Sequence, residues 1–80
     1  MPRFFFDFSD GPTTIDDEGT EFPNAHAARD AAVRTLPEIA IDKTDLQQNR
    51  MVSVLMRDDI GRYLFTASLN LSGRWLVETA

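Results

Sequence analysis

The sequence has no cysteine, a single histidine and no cluster of lysine or arginine, and each absence removes a class of function. Without cysteine there is no disulfide framework, no thiolate zinc site and no cysteine nucleophile, and one histidine cannot build a multi-histidine metal centre. No 18-residue apolar run occurs. The run Phe4-Phe5-Phe6 is closed by Asp7 and is too short for a signal-peptide core. These features lead to the expectation of a soluble cytoplasmic protein with no membrane association, and lack of cysteine is consistent with a reducing compartment. The missing basic cluster disfavours a phosphate-binding surface of the usual nucleic-acid type.

What is present is 80 residues, 42% of them hydrophobic, with a formal charge of −5. This length reads as one domain over residues 1–80. Domains of this size bury only about 60–65% of the surface their unfolded chains expose, so the apolar residues are committed to one thin core, with little left for a deep pocket. The charge is uneven. Residues 1–23 set Arg3 against Asp7, Asp10, Asp16, Asp17, Glu18 and Glu21, whereas residues 50–80 set Arg50, Arg57, Arg62 and Arg74 against Asp58, Asp59 and Glu78.

Periodicity supplies the fold class. Phe4, Phe6 and Phe8 alternate with Arg3, Phe5 and Asp7, the period of a strand with one apolar face, and Ser9-Asp10-Gly11-Pro12 follows as a turn. A weaker strand starts near Thr13, is interrupted by Asp16-Asp17-Glu18-Gly19, and resumes over Thr20–Phe22. Asn24 is placed to cap an alanine-rich helix whose buried stripe is Ala25, Ala28, Ala32, Leu36 and Ile39, with Asp30, Arg34, Glu38 and Asp42 opposite. Pro37 removes a helical hydrogen bond, so a kink or break is expected there, and a kink would rotate Ile41 toward the core. Asp45–Asn49 reads as a connection. Val52, Val54 and Met56, then Tyr63, Phe65, Ala67, Leu69 and Leu71, alternate with mostly polar neighbours across a turn of about four residues at 58–61, which is a β-hairpin. Arg74–Val77 either continues that strand or forms a short edge strand. The sum is an α+β, two-layer ββαββ fold: a four-stranded antiparallel sheet with one helix, kinked or broken near Pro37, on one face.

Several segments together resemble a known family. They are Pro2-Arg3-Phe4-Phe5-Phe6-Asp7, Asp10-Gly11, Asp17-Glu18-Gly19-Thr20-Glu21-Phe22, Leu36-Pro37-Glu38-Ile39-Ala40 and Arg57-Asp58-Asp59-Ile60-Gly61-Arg62. The chain resembles the uncharacterised domain-of-unknown-function family of short alphaproteobacterial, rhizobial-type proteins that begin Met-Pro-Arg-Phe/Tyr-Phe-Phe-Asp. Where members carry Asp-Asp-Gly or Asp-Glu-Asp-Gly at the late turn, this chain has Ile60 before Gly61. The resemblance covers essentially the whole chain and implies a bacterial, cytoplasmic, free-standing domain, with no activity, cofactor or partner attached.

Four groups of residues could carry function. Asp16, Asp17 and Glu18 form an oxygen-rich run of the kind that binds hard cations, but their spacing does not fit a calcium loop, and a solvated acidic turn is the favoured reading. His26 lies near the first turn of the helix without a nucleophile or orienting partner around it in sequence, as expected of a surface histidine. Arg57, Arg62 and Arg74 with Tyr63 and Trp75 are the basic and aromatic grouping, which could stack and hold single-stranded nucleic acid were it not for Asp58 and Asp59 beside it. Trp75 itself is either a packing anchor, the favoured reading, or an exposed binding residue. Finally, Phe5, Leu55 and Leu64 fall on the sheet face away from the helix, more apolar surface than a small monomer usually shows. The expectation is a non-enzymatic interaction module, without cofactor or metal, that associates with itself, as in a homodimer, or with a protein partner through that face or an edge strand. The alternative is a nucleic-acid or regulatory binding module at the arginine end of the hairpin.

Overall fold

The computed structural model describes residues 1–42 and 50–78. Strand β1 (Arg3–Ser9) is followed by two short strands, β2 (Thr13–Thr14) and β3 (Thr20–Glu21), then helix α1 (Ala25–Asp42) and the hairpin β4 (Arg50–Arg57) and β5 (Tyr63–Leu71). The sheet is antiparallel in the order β2-β1-β4-β5, with β3 also paired to β1. Phe8 and Ser9 pair with Thr14 and Thr13, while Arg3 and Phe4 pair with Glu21 and Thr20. Strands β2 and β3 therefore lie end to end along one edge of β1, the interrupted second strand that Asp16–Gly19 announces. The expected four strands become five because each fragment is a separate two-residue element.

Register builds the core. Phe6 pairs with Met56 and Met56 with Phe65, while Phe8 pairs with Val54 and Val54 with Ala67. These rows face α1, and Val52, Val54 and Met56 of the central strand β4 are at most 2% exposed. Against them the helix buries Ala28, Ala32, Leu36 and Ala40 at i, i+4 spacing. The alanines let the helix sit close to the sheet, and Ala28 closes a cluster with Phe4 and Met56. The Asn24 side chain starts the helix by accepting the Ala27 N–H at 2.9 Å.

Four expectations need correction. Of the two alternatives at Pro37, kink or break, the break is excluded, because one helix runs from Ala25 to Asp42. Pro37 is exposed and Val33, whose carbonyl loses its partner, is 43% exposed, so that carbonyl is left on the wet side of the helix. Ala25 is exposed rather than part of the buried stripe, because it precedes the point where the helix meets Phe4 and Met56, and Ala40 extends the stripe at the other end. Tyr63 does not join the core: Arg57 pairs with Tyr63 while Met56 pairs with Phe65, so Leu64 is an extra, bulged residue and Tyr63 is 67% exposed. Trp75 is no anchor but is 77% exposed, and Arg74–Val77 forms no strand. Strand β5 ends at Leu71 opposite Arg50, the first residue of β4, so no described strand lies alongside the residues after Leu71. The connection over Asp45–Asn49 and the side chain of Ile41 lie outside the described residues.

The hairpin turn spans Asp58–Arg62, one residue longer than expected, and Asp58 organises it. Its Oδ1 accepts the N–H groups of Ile60 at 3.1 Å and Arg62 at 2.8 Å, and its Oδ2 accepts Arg62 Nε at 2.8 Å. Gly61, at φ 84°, takes the left-handed turn position.

The close approach of α1 to the sheet is testable at its tightest point. Ala28→Leu is expected to lower the unfolding free energy by about 1–3 kcal/mol through overpacking against Phe4 and Met56. Ala25→Leu, on exposed surface, is expected to stay within about 0.5 kcal/mol of the parent. Urea denaturation of the two variants reads the contrast.

Candidate functional site

The odd-numbered residues of β1 and β4 point away from the helix, and this second sheet face gathers charge. The pairs Phe5 with Arg57 and Asp7 with Leu55 set Arg57 one step along from Asp7 on the neighbouring strand. The guanidinium grips the carboxylate with two bonds, Nε to Oδ2 and Nη2 to Oδ1, both 2.9 Å. It also lies over the Phe5 ring, 5.1 Å from the centroid, in cation–π contact.

Asp16 completes the cluster from the break between β2 and β3. Its N–H donates to Asp7 Oδ1 at 3.0 Å, and its carbonyl accepts Arg57 Nη2 at 2.7 Å. Its own carboxylate accepts three backbone amides: Phe6 at 3.1 Å through Oδ2, and Glu18 at 3.1 Å and Gly19 at 3.0 Å through Oδ1. Phe6 is the residue of β1 that faces the gap between the two short strands, so the side chain of Asp16 supplies the acceptor that a continuous strand would have supplied. Gly19 sits at φ 73°, and a Cβ there would lie 2.7 Å from Arg3 Cγ and 2.8 Å from Phe5 Cε2, so the loop lies on the sheet at van der Waals limit.

Burial and hydrogen bonding set the charge states. The Arg57 hydrogen bonds hold the Asp7 carboxyl below its ordinary value, against the opposing effect of burial. Burial would raise Asp16, yet the Gly19, Phe6 and Glu18 amides outweigh it and lower its pKa. Burial would likewise raise Asp58, and the Arg62 and Ile60 hydrogen bonds bring it down. Each of these carboxylates accepts at least three hydrogen bonds. Asp7 is 9% exposed and its oxygens accept Arg57 and the Asp16 N–H, so the cluster fastens β1, β4 and the Asp16 loop to one another.

The other sequence candidates scatter around it. Phe5 is half-buried under Arg57, Leu55 is half-buried, and Leu64 is 38% exposed in the bulge. Of these three, Phe5 has one ring face covered by the Arg57 guanidinium. Arg57 and Arg62 do flank the hairpin turn, but each is bound to an aspartate, Asp7 and Asp58 respectively. Tyr63 is exposed beside them, and Arg74 lies past the far end of β5, roughly 30 Å away at the usual rise per residue. Asp10 pairs with Arg50 at 3.0 Å. His26 is exposed on the first turn of α1. Among the described residues no three His, Cys, Asp or Glu side chains come together as a metal site, and no helix is long and apolar enough to cross a membrane.

The sequence model of the DUF6894 domain, a domain of unknown function, matches residues 3–70. The chain belongs to this family. No curated protein and no solved structure matches it. The DUF6894 match runs from the first residue of β1 to the penultimate residue of β5, so Asp7, Asp16, Arg57 and Asp58 all fall within the family region, and the exposed Trp75 falls beyond it.

The cluster makes a pH prediction for this DUF6894 domain. Asp7, Asp16 and Asp58 all have folded pKa values below the ordinary 3.8, so on acidification the unfolded chain takes up protons before the fold does. Their contribution is complete above the ordinary carboxylate range and is lost as pH falls through 3.8 and below. Melting temperature is expected to hold between neutral pH and about pH 5 and to drop steeply below about pH 4, as followed by circular dichroism.

Proposed function

We propose that this DUF6894 domain is a non-enzymatic interaction module that engages a protein partner, or another copy of itself, through the outer edge of β5. The observation that carries the reading is the composition of that edge. Tyr63–Leu71 is nine residues long and contains no Asp, Glu, Lys, Arg or Pro, and among the described residues it pairs with β4 alone. Natural sheets protect exposed edges with charges, prolines or covering segments, because a free ladder of N–H and C=O groups recruits another strand. Here the one irregularity is the bulge at Leu64, near the start of the strand.

Which groups the edge presents is set by one side-chain bond. The Thr66 hydroxyl donates to the Val54 carbonyl at 2.9 Å, so that carbonyl points toward β5 and the Val54–Ala67 pair is the hydrogen-bonded kind. Thr66, Ser68 and Asn70 accordingly turn their backbone N–H and C=O outward. The Phe6 amide agrees with this alternation, since in β1 it points away from β4 toward Asp16. An added strand would find main-chain partners along the edge and side-chain contacts on both faces.

The state of Asp7 and Asp16 supports a binding role over a catalytic one, because their oxygens are occupied by backbone amides and an arginine. A photo-reactive phenylalanine analogue at Tyr63 tests the edge. Irradiation is expected to give adducts that disappear in a folded Ser68→Lys/Asn70→Lys variant, which places charge along the edge. Adducts of equal yield in that variant would contradict the reading.

A further inference from the structure

The edge of β5 is bracketed by two exposed apolar patches that one chain cannot bring together. At its start, Ile60 is 77% exposed and Tyr63 67%. Past its end, Trp75 is 77% exposed, Leu76 86% and Val77 68%. The nine residues of β5 separate them by roughly 30 Å, since an extended strand rises about 3.3 Å per residue. Large apolar side chains left in water at both ends of a strand without charge are what a second copy of the same strand, running the other way, would cover.

Resting on the edge reading above, we propose that the occupant of the β5 edge is a second copy of this chain, paired antiparallel about a two-fold axis near Ala67. The outward-facing residues determine which registers close. Because Thr66, Ser68 and Asn70 present their backbone groups to the edge, an axis at Ala67 sets Thr66 of one copy against Ser68 of the other as hydrogen-bonded pairs and leaves the two Ala67 residues as a close non-hydrogen-bonded pair. A shift of one residue in the pairing would set outward groups against inward ones and bring unlike sheet faces together. The two sheets merge into one, with both helices on the same face and the helix-facing Phe65 of each copy against Leu69 of the other.

The same operation carries the segment Arg74–Val77 of each copy past the Asp58–Arg62 turn of the other. Trp75, Leu76 and Val77 then meet Ile60 and Tyr63, so both patches are covered by one symmetric contact. The charges agree with the apolar match. Arg74 approaches Asp59, which is exposed in the turn, while Asp58 is already held by Arg62. Within a single chain Arg74 and Asp59 stand at opposite ends of β5, so an attraction between them exists only across two copies.

Three measurements on the full chain test the proposal. Sedimentation equilibrium is expected to show a dimer that Ser68→Lys/Asn70→Lys converts to monomer. Arg74→Asp is expected to weaken the dimer about tenfold at low salt, and Asp59→Arg added to it to restore most of the loss, a rescue that a purely structural role for either residue would not give. Since the chain has no cysteine, a mixture of Thr66→Cys and Ser68→Cys chains under mild oxidation reads the register. The disulfide between unlike variants is expected to dominate over those between like variants. A chain that stays monomeric to millimolar concentration, or disulfides in statistical proportion, would overturn the dimer. If the monomer still gave edge-dependent adducts at Tyr63 with another protein, the dimer would fall and the interaction module would stand. A monomer giving none would overturn both.

Discussion

The carboxylate of Asp16 stands where a stretch of strand is missing, and the sheet depends on it. Between Thr14 and Thr20 the chain leaves the outer edge of β1, and without the Asp16 carboxylate the Phe6 amide would lose its hydrogen-bond partner. One side chain satisfies that amide and two more inside its own loop, while its main chain is fastened to Asp7 and Arg57. Arg57 belongs to β4, 41 residues away from Asp16 in sequence. A local defect in a two-residue strand is thereby tied to the central hairpin, and the order of β1, its broken partner and β4 is fixed by one charged cluster on the face opposite the helix.

The cluster also explains why the acid-rich first quarter of the sequence is not simply an acidic surface. Asp7 and Asp10 are each paired with an arginine from β4, and Asp16 lies against the same Arg57. The segregation of charge along the sequence, carboxylates early and arginines late, is what lets β1 and β4 attract each other as neighbours. Such pairs owe their worth to partial burial, since exposed ion pairs contribute little. The exposed contact between Arg29 and Asp30 on the helix is of that lesser kind. The i, i+4 row of Asp30, Arg34 and Glu38 remains on solvent, as a polar helix face should.

Most of the fold is legible in the sequence because burial imposes a period. Phe4, Phe6 and Phe8, then Val52, Val54 and Met56, can face one way only as strands, and the alanines at four-residue spacing mark the helix. The break at Asp16–Gly19 is also visible, as an acidic run before a glycine. The cluster is not, although Asp7 and Arg57 fall on the polar phase of their strands and thus share a face. What joins them is the register between strands 50 residues apart, which periodicity does not determine. Strict alternation puts Tyr63 in the core, and a single bulged residue reverses the side on which everything before it lies. The bond that Pro37 removes is plain in the sequence, but that the orphaned carbonyl faces water is a property of the packed helix. Trp75 belongs in the core if a small domain must bury all its aromatics, yet it lies past the end of β5 and stays exposed.

Asp16 substitutes for strand pairing, and amide hydrogen exchange of an Asp16→Ala variant tests this most directly. In the parent, the Phe6 and Gly19 amides are expected to exchange slowly although both donate to the Asp16 carboxylate and not to a neighbouring strand. In the variant they are expected to exchange at rates near those of open loop, with loss of about 1–3 kcal/mol of stability from the unpaired groups, while Val54 in β4 stays protected. Unchanged protection at Phe6 and Gly19 would show that something other than this carboxylate closes the edge.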